Sequence, residues 1–129
     1  MSMQKDAQYF IKSASMLDES TFELVFQDEV QIDLEGIKLI DAYCDEIVAG
    51  LRLKRLIVSG KNTLMTKEAR QYGQDKSKSS KELIIAEAVV VNTLPQKMVA
   101  NFYFAFIRDF YPAKFFTDIN KAKDWLSGF

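Results

Sequence analysis

At 129 residues, 48% hydrophobic and with a net charge of −1, the chain has the make-up of one soluble domain, without a field to draw it onto nucleic acid or an acidic membrane. It holds no histidine and a single cysteine, which closes imidazole acid–base and nucleophilic chemistry, the usual zinc sites and any intrachain disulfide. The cysteine usage points to a cytoplasmic location, no apolar run nears the ~18 residues of a membrane span, and no basic-then-apolar leader is expected.

Residues 1–7 are polar and are expected to form a flexible N-terminus, with one domain over residues 8–129. The runs from Tyr9 to Leu17 and from Thr21 to Gln27 are strand-like, and Asp18-Glu19-Ser20 between them makes a β-hairpin. In the second run Phe22, Leu24 and Phe26 alternate with Glu23, Val25 and Gln27, the period of a half-buried strand. Asp33 is a good N-cap for a helix to about Ala49. Along it Ile37, Ile40, Cys44, Ile47 and Leu51 recur on one face, and Gly50 suits its end. Arg55 to Ser59 reads as a central parallel strand, followed by a loop at Gly60 to Asn62.

Thr66 caps a short helix predicted over Thr66 to Gly73, and residues 74–81, QDKSKSSK, read as a polar surface loop. Ala86 to Val91 is the next buried strand. Pro95 opens a helix that ends before Pro112, Lys114 to Thr117 is a short strand, and Thr117 or Asp118 caps the last helix. In that last helix Ala122, Trp125 and Leu126 face inward.

Most motifs with chemical promise have a plainer reading. Ser59-Gly60-Lys61-Asn62-Thr63 follows a buried strand, but a phosphate loop needs a second glycine and a hydroxyl residue after the lysine. A turn fits better. The acid pairs Asp18-Glu19, Asp28-Glu29 and Asp45-Glu46 are sequence neighbours whose side chains diverge, so no convergent catalytic dyad is expected. Cys44 sits on the apolar stripe of the first predicted helix, where a small core residue is expected rather than a nucleophile. Arg52, Lys54 and Arg55, and separately Lys76, Lys78 and Lys81, read as solubilising surface.

The helix from Pro95 to Tyr111 is unusual. Met98, Phe102 and Phe106 share one side with Val99, Tyr103 and Phe110 beside them, and Phe104 interrupts a polar stripe of Lys97, Asn101 and Arg108. A helix apolar all round is packed on several sides, or forms a homodimer face, or lines a slot for an apolar ligand.

The order β-β-α-β-α-β-α-β-α carries LIVSG at Leu56 to Gly60, TKEAR at Thr66 to Arg70, NFYFAF at Asn101 to Phe106 and KFFTDINKAKDWL at Lys114 to Leu126. In these features the chain resembles the STAS-like fold of bacterial anti-sigma-factor antagonists, and more closely small bacterial STAS/SpoIIAA-like proteins. The resemblance implies a single α/β domain, a mixed β-sheet of about five strands packed by about four helices. It also implies a non-enzymatic, cytoplasmic interaction or regulatory module.

In the antagonists a serine or threonine at a helix start, within Asp-Ser-Ser/Thr-Gly, is phosphorylated. Thr66 holds the matching place here, but Lys67 and Glu68 stand where small hydroxyl residues would be. Thr66 is thus either a regulatory helix start or a plain cap. No catalytic residue, cofactor or metal is expected. The partners expected are another protein or a second copy, through Phe102, Tyr103, Phe104, Phe106 and Phe110. The alternative is a carrier or sensor of a small apolar molecule or lipid, in a pocket lined by Phe102, Phe106 and Phe110; neither nucleic-acid binding nor stable membrane insertion is expected.

Overall fold

The computed structural model describes residues 6–129. A helical turn, α1 (Ala7–Phe10), leads into the hairpin β1 (Ile11–Met16) and β2 (Thr21–Phe26). Then come β3 (Gln31–Ile32), α2 (Leu34–Val48), β4 (Leu53–Val58), β5 (Leu64–Met65) and α3 (Lys67–Ser79). A single 3₁₀ turn at Lys81–Leu83 precedes β6 (Ile84–Val90), α4 (Leu94–Ile107), β7 (Ala113–Phe116) and α5 (Ile119–Leu126). The main sheet has five strands in the order β1-β2-β4-β6-β7, and β3 pairs with β5 in a separate two-stranded piece. Only β1 runs antiparallel; β2, β4, β6 and β7 are parallel neighbours, and β4, β6 and β7 are each reached by a helical crossover. This is the α/β mixed sheet of five strands that the resemblance implies.

Alternation along the strands divides the residues between two layers. Leu56 and Val58 of β4 and Ala86, Ala88 and Val90 of β6 face α5, where Ala122 and Leu126 close the contact. On the other face, α2 covers Phe22, Leu24, Phe26 and Leu53, while α4 covers Ile84 and Val91 with Ala100, Phe104 and Ile107. That second face therefore carries two half-cores rather than one.

Local chemistry sets the helix ends. The Asp33 carboxylate accepts from the Gly36 amide at 2.8 Å, and the chain leaves α2 through left-handed residues at Ala49 and Gly50. Thr93 and Gln96 form a reciprocal capping box at α4 with Pro95 in the first turn. Asp118, rather than Thr117, caps α5. Gly36 is a packing requirement: a Cβ there would lie 2.7 Å from the Phe10 ring.

The fold departs from the sequence expectation in four places. Residues 1–5 of the expected flexible terminus lie outside the described residues, but Ala7 is buried, and Tyr9 and Phe10, expected to open β1, belong to the helical turn at residues 7–10. The turn folds Phe10 back against Gly36 of α2, a tertiary contact that no local pattern encodes. The segment 74–81, expected as a loop, continues α3 to Ser79. It escapes detection because its inward stripe, Ala69, Gly73 and Ser77, is made of small rather than apolar residues. Leu51 lies beyond α2 and is 55% exposed, so it does not join the helix stripe. Finally, Phe104 points into the core and stacks on Phe115 with centroids 6.2 Å apart, so it is no part of an accessible interface.

Candidate functional site

Between the two half-cores lies a cavity of about 310 Å³. Its floor is the sheet, with Phe22, Leu24, Ile57 and Val89 beside Arg55 and Glu87. Ile37, Ile40 and Cys44 of α2 form one wall, and Val99, Ala100 and Tyr103 of α4 the other. The roof is α3, through Gly73, Lys76 and Ser77. The small-residue stripe makes the space: a Cβ added to Gly73 would meet nothing within 4 Å.

A polar cluster interrupts this apolar lining. Arg55 and Glu87 are direct neighbours in the parallel register of β4 and β6, and strand parity points both at the cavity. One terminal nitrogen of Arg55 donates to Glu87 Oε1 at 2.7 Å. The tyrosine hydroxyls of Tyr103 and Tyr111 both donate to Glu87 Oε2 at 3.0 Å. Tyr103 spends its proton on the carboxylate, so Ser77 donates into the Tyr103 oxygen, 2.8 Å away, and links the roof to the floor. Glu87 is 1% exposed, whereas the Arg55 side chain keeps 28% of its surface.

The electrostatics follow from this geometry. Burial pushes the Tyr103 and Tyr111 hydroxyls above the usual tyrosine range, and the neighbouring Glu87 carboxylate pushes the same way. For Arg55, burial is the largest single influence and opposes the charge, but Glu87 together with Tyr103 and Tyr111 outweighs it and holds the guanidinium above its ordinary value. Burial raises the Cys44 thiol to about 12, so Cys44 lines the cavity as an unreactive apolar group.

A second cluster ties α3 to α2 at the rim. Asp41 accepts from the Tyr72 hydroxyl at 2.9 Å and pairs with Lys76 at 3.2 Å, and Asp45 pairs with the same lysine at 3.2 Å. Lys76, expected on a solubilising face, thus fastens the roof.

The other residues singled out in the sequence fall in separate places. Thr66 caps α3, its hydroxyl accepting from the Ala69 amide at 3.2 Å. Tyr103 belongs to the polar cluster. Phe102 lies at the cavity edge with 75% of its surface exposed, and Phe106 and Phe110 pack edge to face away from the cavity lining. Leu94, Met98, Phe102 and Phe106 recur every fourth residue along α4 and form an exposed apolar stripe. Lys54 is buried, and Arg55 belongs to the cavity, so neither is the solubilising surface expected of them.

The Gly60 turn is no phosphate cradle. Its Lys61 amide is taken by Asp28 at 2.6 Å, and the Gln96 amide group donates to the carbonyls of Gly60 and Thr63. Among the described residues no cluster of three or more acidic or cysteine side chains could hold a metal, and no helix is long and apolar enough to cross a membrane.

Sequence reasoning missed Glu87, Tyr111, Ser77 and Gly73. One signal was present: Glu87 is a lone acid in the apolar run AEAVVV, and a buried strand does not carry an unpaired carboxylate.

Comparison with known proteins places the chain. A family described as a domain of unknown function, DUF7793, matches residues 16–129. The chain belongs to that family. No curated protein sequence matches this DUF7793 chain. Among solved structures it is similar to a crystal structure of an uncharacterised DUF3478-family protein with a SpoIIAA-like fold from Shewanella loihica PV-4. The TM-score is 0.65 at 19% identity, with 98% of each chain covered, so the likeness establishes the fold.

Proposed function

We propose that this DUF7793 protein is a non-enzymatic, cytoplasmic binding module that holds one small, largely apolar molecule between its sheet and helices α2, α3 and α4. The observation that carries this is the cavity, about 310 Å³ with a mainly apolar lining and a few convergent polar groups. That is the character of small-molecule sites, at the lower end of their ~300–1,000 Å³ range. The carrier or sensor reading is thereby favoured over a module that only binds proteins. The residues that carry it are the cavity wall and roof, with Phe102 at the edge, rather than Phe106 and Phe110.

The test uses the dye 1-anilinonaphthalene-8-sulfonate, whose fluorescence rises in apolar sites. One equivalent is expected to bind the wild type. Gly73→Leu, which places a side chain in the open space beneath α3, is expected to abolish that signal, while Met98→Lys on the exposed stripe leaves it intact. Dye binding that survives Gly73→Leu and disappears with Met98→Lys would remove the cavity as the site.

The exposed stripe of α4 favours a second reading, association with another copy of the chain. Phe102 at 75% exposure and Leu94 at 69% are costly to leave in water. Sedimentation of wild type and Phe102→Lys tests this: a dimer lost in the variant supports it, and a monomeric wild type removes it.

A further inference from the structure

The partners already assigned around the cavity constrain what can enter it. This inference rests on the cavity being a ligand site and concerns the chemistry of the ligand. The three carboxylates of the lining are all engaged. Glu87 takes three hydrogen bonds, from Arg55, Tyr103 and Tyr111. Asp41 is held by Tyr72 and Lys76, and Asp45 by Lys76. Glu87, the carboxylate on the floor, therefore has both oxygens engaged and little acceptor capacity left for a cation, while the two rim carboxylates share the charge of Lys76.

Donors are in surplus. A guanidinium carries five N–H groups, and Arg55 spends one on Glu87 Oε1. It cannot engage the carboxylate as a fork, because Oε2 already serves two tyrosines. The remaining N–H groups of Arg55 have no partner among the described residues. No buried side-chain nitrogen or oxygen among the described residues lacks a partner, so these donors are not sealed off, and Arg55 lines the cavity. The guanidinium stands on the floor beside Ile57, facing the apolar walls.

We infer that the cavity takes an amphipathic monocarboxylic acid, its carboxylate on the free N–H groups of Arg55 and its hydrocarbon body between α2 and α4. A carboxylate fits because it presents two acceptor oxygens to planar, forked donors in a poorly hydrated place. The Glu87 anchor supports this selection. It fixes the arginine with one bond and leaves the rest of the fork pre-oriented, while Tyr103 and Tyr111 satisfy the second carboxylate oxygen by hydrogen bonding.

The experiment is isothermal titration of the wild type with decanoate, decanol and decylammonium, three probes that share one chain and differ in the head group. Decanoate is expected to bind about tenfold tighter than decanol, the scale of a charged hydrogen bond, and decylammonium weakest. Equal affinity for decanoate and decanol, with both lost in Gly73→Leu, would overturn the acid anchor and leave the cavity reading standing. Binding of none of the three would remove both. In the charge-neutral double variant Arg55→Gln with Glu87→Gln, the preference for decanoate over decanol is expected to vanish. A preference that persists in that folded variant would place the carboxylate elsewhere and overturn the assignment.

Discussion

The two faces of the sheet are built from the same strands and differ in what they enclose. Toward α5, β4 and β6 present Leu56, Val58, Ala86, Ala88 and Val90, and the helix sits close because Ala122 and the two strand alanines are small. The small residues there bring backbones together. Toward α3 the small residues Gly73 and Ser77 have the opposite consequence, because polar contacts at the rim and at Tyr103 hold the helix up and the space beneath stays open. One residue apart along β4, Leu56 closes a core and Arg55 floors a cavity. Side-chain size alone does not decide whether a layer fills; the contacts that fix the spacing of the layers do.

The sharpest way to break that difference is at the ion pair. Arg55→Ala leaves a fully buried Glu87 charge without its cation and is expected to cost ~3–5 kcal/mol of stability. Glu87→Gln is expected to cost less, because the freed guanidinium is partly exposed and can hydrate, and the amide oxygen still accepts from Tyr103 and Tyr111. Urea denaturation midpoints at constant slope measure both. Equal costs would mean that Glu87 and Arg55 see similar solvent, contrary to their burial.

Enlarging a small residue on each face is the next test. Ala88, fully buried against Leu56 and Leu126, has no room, and Ala88→Leu is expected to destabilise by ~1–3 kcal/mol through overpacking. Gly73→Leu, with open space at its Cβ and a better helix former in place of glycine, is expected to be neutral or to stabilise by ~0.5–1 kcal/mol. Thermal denaturation of the two variants reads the sign directly. A destabilised Gly73→Leu would show that the roof lies on the sheet more tightly than the cavity requires.

What could be read in the sequence follows the same division. The face toward α5 was legible: Ala122, Trp125 and Leu126 repeat with helical period, and Ala86, Ala88 and Val90 are small or apolar at every second position of β6, so local pattern and tertiary role agree. The caps at Asp33 and Thr66 and the alternation of Phe22, Leu24 and Phe26 were legible for the same reason. The cavity face was not. Arg55 and Glu87 stand 32 residues apart and meet only through strand order and register. The second half of α3 has no apolar stripe because it roofs a cavity instead of filling a core. On α4 the apolar residues were visible but not their assignment, since Phe104 is buried while Phe102, two residues away, is exposed. A helix apolar all round gives no period from which to choose the inner side.

The smallest expected effect compares the two covering helices through their caps. Thr66 accepts from the Ala69 amide to start α3, and Asp118 accepts from the Asn120 and Lys121 amides to start α5. Replacing either by alanine removes about one capping interaction, ~1 kcal/mol in each case. The costs should be spent differently. Helix α5 packs over a filled core through Ile119 in its first turn and Ala122 and Leu126 beyond it, so the loss is expected in global stability. The roof helix is held by rim ion pairs, one Tyr–Asp hydrogen bond and small-residue contacts, so Thr66→Ala is expected to raise amide exchange in α3 before the sheet opens. Hydrogen exchange followed by mass spectrometry separates the two. Protection of α3 equal to that of β6 in both proteins would mean that the roof is as firmly seated as the core, and the cavity would then need another way in.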